Sequence, residues 1–553
     1  MSAVPDTLPV ADRKPSDTAT RMQAGSIPTR NRPLIAGCVC AICGIVLTLP
    51  FRGYDGSFPS FVAIAPVFWI VVNERRARRA ALYAACFALT WTTFCFTFLW
   101  PLTFGGAIAL SIYTSLFYVL GLMLIRRIAQ GRGTLAVIGT ASVWALVEIT
   151  RSVVPVFGFP WLLLGHTLLF NDRLRQGADL LGVYGLSFIV AAVNAAIAFA
   201  LPELFPDSWR TASKHRAWRT LCFAGALVLA AFAYGEARIQ GIEKRLIDGP
   251  PIGVIQGNIV QKLGRSEEER KAQLEGHMEL HRQLLQKCKA EGEMPVLVCW
   301  AETMVPGTLN ADDQGRTFQK FVGSTGVPAL VGSQYMPRED FEKDREQQHI
   351  YNTAFLLDGE GKEVFHFFKR RIVPFGEYIP FVAQFPFLKH LQSVLRDQYT
   401  PGTDPSPIGH AGAYHFALNI CVEDIHPCLA RECSRAGADT LINLTNDGWW
   451  YGTYEPRAHF QAAAWRAIEV RRPMLRVTNT GITAAIDPLG NIATIIQPET
   501  VGIAKVRLLG IESATAGEFA TPMTLTMWLG EFGSGAIFIS LFLGCLFFAQ
   551  DRT

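Results

Sequence analysis

Apolar residues gather in long uninterrupted runs toward the two ends of the chain, whereas the middle alternates short apolar and polar stretches. A helix that crosses a bilayer needs roughly 20 apolar residues, with a tolerance of several either way. Eight runs approach that length, at about 34–50, 58–73, 80–100, 107–125, 134–150, 179–203, 220–236 and 525–548. The pattern predicts seven spanning helices, a globular region and an eighth span. The run at 34–50 is longer than a signal-peptide core and has no small-x-small cleavage site behind it, so it reads as an uncleaved anchor. Residues 1–33 carry Arg13, Lys14, Arg21, Arg30 and Arg32 among Pro, Ser and Thr, which reads as a disordered tail.

Between residues 241 and 520 the period changes. "PIGVIQGNI", "PVLVCWAE", "PALVGSQY", "NTAFLLD", "EVFHFFKR", "YHFALNIC", "TLINLTND", "MLRVTNT" and "ITAAID" read as strands. "SEEERKAQLEGHMELHRQLLQKCKA" and "AHFQAAAWRAIEV" read as helices, the first opened by a capping box of Ser266 and Glu269. Alternation of this kind predicts an α/β domain with sheets covered by helices, and the continuous Val/Ile/Leu runs suit strands buried on both faces.

Charge adds an orientation. Half of the 553 residues are apolar and the formal net charge is only +4, with basic residues placed between the apolar runs and not along one stripe. A nucleic-acid partner has no support in that distribution. The loops "NERRARRA", "RRIAQGRG" and "DSWRTASKHRAWR" after the second, fourth and sixth runs are strongly basic, while "FRGYDGS" and "PLTFGG" after the first and third are nearly neutral. Positive loops stay in the cytoplasm. Only the loop after the fifth run, with Arg151, Arg173 and Arg175, blurs the alternation. Both termini are therefore expected inside and the region from about 240 to 520 outside the cytoplasm, provided that seven spans precede it.

Three polar residues close apolar strand patterns: Glu302, Lys369 and Cys421. Ligand and catalytic groups of open α/β sheets gather at strand carboxyl ends. A thiol attacks only as thiolate, which an adjacent base can generate, so Glu302 is a candidate base and Lys369 a candidate holder of a developing oxyanion. The plainer readings are a buried core cysteine and a surface ion pair. Of twelve cysteines, Cys38, Cys40, Cys43, Cys86, Cys95, Cys222 and Cys545 fall in or beside apolar runs. Cys288, Cys299, Cys421, Cys428 and Cys433 fall in the middle region; five is odd, which leaves at least one unpaired. Cys428 and Cys433 read as core residues, and "CAIC" as packing inside a span. His366, His415 and His459 show no spacing that picks out a Cys-His pair, and His215 lies in a basic loop.

The stretches "PVLVCWAETMVP", "FFKRRIVPFGEYIP", "LNICVED", "NLTNDGWW" and "EVRRPMLRVTNTGITAAIDPLG" together resemble the nitrilase superfamily, whose catalytic set is Glu, Lys and Cys in this order. With the flanking spans and "GFPWLLLGH" at Gly158 to His166, the chain from about residue 34 onward resembles the family of apolipoprotein N-acyltransferases. That resemblance implies an eight-span helical membrane domain at 34–240 and 521–553 around a nitrilase-like αββα sandwich at 241–520. It implies Glu302 as base, Lys369 as oxyanion holder and Cys421 as nucleophile. Glu377 and Glu423 would support them, the Val422 N–H would share the oxyanion, and Asn446 and Glu469 would hold loops around the pocket.

The same resemblance implies a monomer in the bacterial inner membrane with its catalytic domain on the periplasmic side and no metal or organic cofactor. Its partners would be a phospholipid acyl donor, a diacylated apolipoprotein acceptor and the bilayer. The chain departs from the family pattern at Val422, where an aromatic residue is usual, and at Arg265, where a tryptophan is usual. A membrane-tethered amidase acting on a small amide and a non-catalytic scaffold are the competing expectations. The run "YIPFVAQFPFLKHL", with Phe381, Phe385, Phe387 and Leu388, reads either as an arm at the lipid surface or as a core helix.

Overall fold

A computed structural model describes residues 32–550 apart from 54–55, 130–132, 205–210, 263, 345–346, 383, 389–397, 406–407 and 514–517. The expected tail at 1–33 falls almost wholly outside the described residues. Eight helices come first: α1 (Arg32–Thr48), α2 (Phe58–Val62), α3 (Ala65–Asn73), α4 (Ala77–Cys95), α5 (Phe104–Ile128), α6 (Thr134–Val153), α7 (Ala178–Leu204) and α8 (Thr211–Glu243). Then follow β1 (Leu246–Gln256), α9 (Glu267–Ala290), β2 (Leu297–Trp300), α10 (Asp313–Thr325), β3 (Ala329–Tyr335), β4 (Tyr351–Leu357), β5 (Glu363–Phe368), β6 (Gly409–Ala411) and β7 (Tyr414–Ile420). The chain continues through α11 (Pro427–Arg435), β8 (Thr440–Thr445), α12 (Glu455–Ala463), α13 (Trp465–Val470), β9 (Met474–Thr478), β10 (Thr483–Ile486), β11 (Ile492–Ile496), β12 (Gly502–Ile511) and α14 (Leu525–Gln550).

Among the described residues, six helices are long and apolar enough to cross a membrane: Pro33–Phe51, Phe104–Ile128, Thr134–Val153, Leu174–Leu201, Lys214–Glu243 and Leu525–Leu546. The two other expected spans are helical but differ. The run at 58–73 breaks between α2 and α3, and the N–H groups of Ile64 and Ala65 freed by the break both donate to Oδ1 of the buried Asn194 at 2.9 Å. A buried side chain thus supplies what an uninterrupted helix would have supplied. The run at 80–100 forms α4, which begins earlier, at Ala77, takes in Arg78 and Arg79, and stops at Cys95.

The middle region folds into two six-stranded sheets, ordered β12-β1-β2-β3-β4-β5 and β11-β10-β9-β8-β7-β6. Each has three parallel strands at its heart, β1-β2-β3 in one and β7-β8-β9 in the other, flanked by antiparallel partners. Ile252, Val254, Leu297 and Leu330 of the first sheet pack against Leu418, Ile420, Ile442 and Leu475 of the second. The first sheet's outer face is covered by α9 and α10 through Leu274, Leu284, Phe318 and Val322. The second sheet's outer face, with Ala417, Leu441 and Met474, packs on α11–α13 in a core continuous with the long apolar helices. The αββα sandwich therefore has one cover of its own and one shared with the helical layer. Both halves of the expected capping box form, Glu269 N–H to Ser266 Oγ at 3.2 Å and Ser266 N–H to Glu269 Oε2 at 2.9 Å. Strands β6, β11 and β12 and helix α10 were not anticipated; β12 is half-buried over much of its length, and Lys505 and Arg507 interrupt its apolar residues.

Candidate active site

Glu302, Lys369 and Cys421 follow the carboxyl ends of β2, β5 and β7, so two come from the first sheet and one from the second. Glu302 sits in a tight turn that presses on β3: a Cβ at Gly332 would lie 2.4 Å from Thr303 N and 2.5 Å from Glu302 Cα. Glycine is required there by close approach alone. Glu302 Oε1 accepts hydrogen bonds from Asn352 Nδ2 at 2.7 Å and Lys369 Nζ at 3.2 Å, and Oε2 accepts from the Asn446 N–H at 2.9 Å.

Lys369 is almost fully buried and bridges two carboxylates, its Nζ also donating to Glu377 Oε1 at 2.8 Å. Glu377 Oε2 in turn accepts from the Val373 N–H at 2.7 Å, while Asn352 reaches Glu377 Oε1 at 3.3 Å. Burial works against the lysine's charge, but Glu302 and Glu377 more than offset it and hold the ammonium pKa well above its ordinary value. A proton-bearing lysine, held in place and backed by two carboxylates, is suited to meeting negative charge that develops beside it.

Cys421 opens a 3-10 turn, Cys421–Ile425, with φ +53, a left-handed conformation that a non-glycine residue seldom adopts. The turn is held from both sides. Glu423, fully buried, accepts from the Ile420 N–H at 2.8 Å and from the N–H groups of Arg370 and Arg371 at 2.7 and 2.9 Å. Asn443 Nδ2 donates to the Cys421 carbonyl at 3.0 Å. One carboxylate therefore ties the residue before the cysteine to the residues after the lysine. Burial raises Glu423 to about 7 against the pull of those N–H donors. Burial, and next the charge of Glu302, push the Cys421 thiol well above its ordinary value despite Lys369. The resting cysteine is a neutral thiol beside a carboxylate, and proton removal has to accompany attack.

Asn446 binds Glu302 through its N–H and stays in place through Oδ1, which accepts from Gly448 N–H at 3.1 Å and Asn479 Nδ2 at 2.8 Å. Glu469 stands apart from these groups: its Oε1 accepts from the Val183 N–H at 3.1 Å, where α7 kinks at Gly182, φ +66. The contact ties α13 to the helical layer. Arg265 pairs with Gln273, whose Nε2 reaches the Met304 carbonyl at 3.1 Å, so this departure from the family pattern connects to the turn that follows Glu302. Val422 is half-buried and packs on the shared core. Phe381, Phe385 and Phe387 are exposed, which removes the core-helix reading for them; the rest of that run, at 389–391, lies outside the described residues. All twelve cysteines are free.

Sequence reasoning missed Asn352 and Asn443. Both sit inside runs read as strands, and the one signal was an amide among aliphatic neighbours.

The two-sheet domain is of the carbon-nitrogen hydrolase class: the family model "Carbon-nitrogen hydrolase" matches residues 252–515. The model "Apolipoprotein N-acyltransferase N-terminal domain" matches residues 43–196. A protein of Geobacter metallireducens named apolipoprotein N-acyltransferase is 31% identical over 493 residues, covering 85% of this chain and 89% of its own. One of the same name from Haemophilus ducreyi is 26% identical over 546 residues, covering 94% and 98%. The chain belongs to the apolipoprotein N-acyltransferase family. Among solved structures, an amidase from Nesterenkonia sp. overlaps 46% of this chain and 92% of its own at 16% identity and a TM-score of 0.34, too low to carry an inference.

Proposed function

We propose that the protein is a membrane-bound apolipoprotein N-acyltransferase that moves an acyl chain from a phospholipid to the N-terminal amine of a diacylglyceryl-cysteine through a thioester on Cys421. The observation that carries this reading is the buried Glu302–Lys369–Glu377 bridge beside a thiol on a left-handed turn, within a chain of this family.

Glu302 takes the thiol proton as Cys421 Sγ attacks the ester carbonyl. Lys369 and the Val422 N–H receive the tetrahedral oxyanion. Collapse breaks the ester C–O bond, Glu302 returns the proton to the glycerol oxygen, and a lysophospholipid leaves. The acceptor amine then attacks the thioester and gives its proton to Glu302, which returns it to the departing sulfur, so the thiol is restored as the amide forms. Substrates that take turns at one covalent site give ping-pong kinetics.

The proposed division of labour places the helices of 34–240 and 521–553 in the bilayer, with 241–520 catalytic and on the periplasmic side. Support comes from the arginines that blurred the loop pattern. Arg151 is buried and donates to the Phe159 carbonyl and the Trp161 carbonyl; Arg175 is buried and donates to the Leu489 carbonyl at 2.9 Å. Arg173, the third, pairs with Glu236 at 2.6 Å, so all three arginines of that loop are engaged by protein partners. Lipid-held substrates also favour a catalytic domain kept at the bilayer, since extracting an acyl chain costs about 0.8 kcal/mol per CH₂.

Incubation of the purified protein with labelled phospholipid is expected to leave one acyl adduct on Cys421 and release lysophospholipid, and Cys421→Ala is expected to abolish both at unchanged protein level. Hydrolysis of small amides with no acyl adduct would sink this reading.

A further inference from the structure

Next to the Cys421 turn lies a second group of buried ionisable side chains that the transfer chemistry leaves unused: Asp424, Asp447, Glu455, His459 and Arg476. His459, on α12, is at its centre. Its Nε2 is 2.9 Å from Asp424 Oδ1 and its Nδ1 is 3.0 Å from Asp447 Oδ1. Arg476, on β9, spans the same two carboxylates, Nε at 3.2 Å from Asp424 Oδ2 and both Nη atoms at 3.4 Å from Asp447 Oδ2. Glu455 Oε1 is 3.7 Å from Nδ1.

With a carboxylate at each nitrogen the ring donates to both as imidazolium, whereas a neutral ring would donate from Nε2 and accept at Nδ1 from Arg476 Nη2, 2.8 Å away. Burial opposes that charge, but Asp424 and Asp447 outweigh it and raise His459 to about 10. Burial and the nearby Asp447 push the Glu455 carboxyl well above its ordinary value. Asp447, Glu455 and His459 would suit a metal ion by composition, but Arg476 Nη2 is already 2.8 Å from His459 Nδ1 and fills that space.

Asp424 belongs to the turn that Cys421 opens, and Asp447 follows Asn446, whose N–H holds Glu302. On its other side His459 meets the Trp161 ring, 5.7 Å between centroids, and the Trp161 carbonyl accepts from Arg151 of α6. We propose that His459 is a positioning residue, an imidazolium held between Asp424 and Asp447 that fixes the nucleophile's turn against the turn anchoring Glu302, and both against the helical layer. The proposal rests on the acyl-transfer reading for its reaction, though not for its readout.

The test uses the full chain in lipid nanodiscs. Histidine C2–H exchange in deuterated buffer, resolved by peptide mass, is expected to show no inflection for His459 between about pH 5 and 8, while a short histidine model peptide in the same buffer inflects near the ordinary value of about 6.5. An inflection of His459 near 6.5 would mean a neutral ring accepting from Arg476, and the proposal falls. In His459→Gln, the pH profile of Cys421 alkylation by iodoacetamide is expected to shift. Thioester formation from labelled phosphatidylethanolamine vesicles is expected to slow about 10²-fold with KM within about twofold, the signature of misplacement and not of lost binding. An unchanged profile and rate overturn the proposal. Should the variant fail to accumulate, the exchange measurement on the unmodified protein decides alone. Should the unmodified protein form no thioester, the acyl-transfer reading falls while exchange and alkylation still judge the positioning role.

Discussion

The two outer faces of the sandwich bury basic side chains in different ways. On the first sheet's face, His277 and His281 of α9 pack on Trp300, with ring centroids at 5.3 and 6.0 Å, and burial lowers both to about 4, so they are neutral. On the second sheet's face, Arg466, Arg471, Arg472 and Arg476 are fully buried. Arg471 reaches Asp179 of α7 through Nε at 3.0 Å and Nη2 at 2.8 Å, Arg466 donates to the Ile425 carbonyl at 2.9 Å, and Arg472 to the Ala438 carbonyl at 3.0 Å. Burial discharges a base unless acceptors are placed around it. The helix covering the first sheet brings an apolar stripe and needs no donors. The seam with the helical layer is crowded with chain ends and loop carbonyls, and a guanidinium with five donors satisfies several at once.

The comparison breaks most visibly at Arg471. Arg471→Met leaves Asp179 with Arg238 and Tyr234 as partners, and is expected to cost about 2 kcal/mol, less than the roughly 3–5 kcal/mol of a buried charge left with no partner, read as a lowered thermal midpoint in detergent. Pairing it with Asp179→Leu should recover most of that loss. A cost under about 1 kcal/mol for the single change would show that apolar packing, not charge, holds the seam.

Within the first sheet, Asn352 steadies both carboxylates that hold Lys369. Asn352→Ala removes two hydrogen bonds to charged groups and is expected to lower thioester formation about 10- to 100-fold at unchanged stability. A change below about threefold would reduce Asn352 to packing.

The smallest effect separates the faces by pH. His277 and His281 sit below the unfolded value of 6.5, so the unfolded chain binds more protons and their face loses stability as pH falls from about 6.5 to about 4. His459 sits above 6.5, so its contribution is complete below that pH and disappears as pH rises toward about 10. Amide exchange should accordingly speed up in α9 on acidification and in α12 on alkalinisation. Loosening of both helices at the same end of the scale would contradict the contrast.

Strand patterns were legible where the residues form an apolar or aromatic run, as with "TLINLT" in β8 and "EVFHFF" in β5, and illegible where charged residues interrupt it, as Lys505 and Arg507 do in β12. The break at 58–73 was not legible, because the group that permits it, Asn194, lies more than a hundred residues away. Cys421 and Lys369 could be picked out as polar ends of apolar runs; His459 could not, because it sits in an ordinary helical pattern with its partners on other elements.

By itself the sequence determined the apolar helices, the alternating middle region and the identities of the three groups at strand ends, since each follows from local periodicity and chemistry. Only the tertiary structure decided which polar groups share a space. That a single lysine bridges Glu302 and Glu377, that Glu423 ties the cysteine's turn to the lysine's strand, and that the membrane-side seam is held by charge all depend on bringing distant segments within hydrogen-bond distance. Distance sets electrostatic energy in a poorly screened interior, and no local pattern along the chain encodes it.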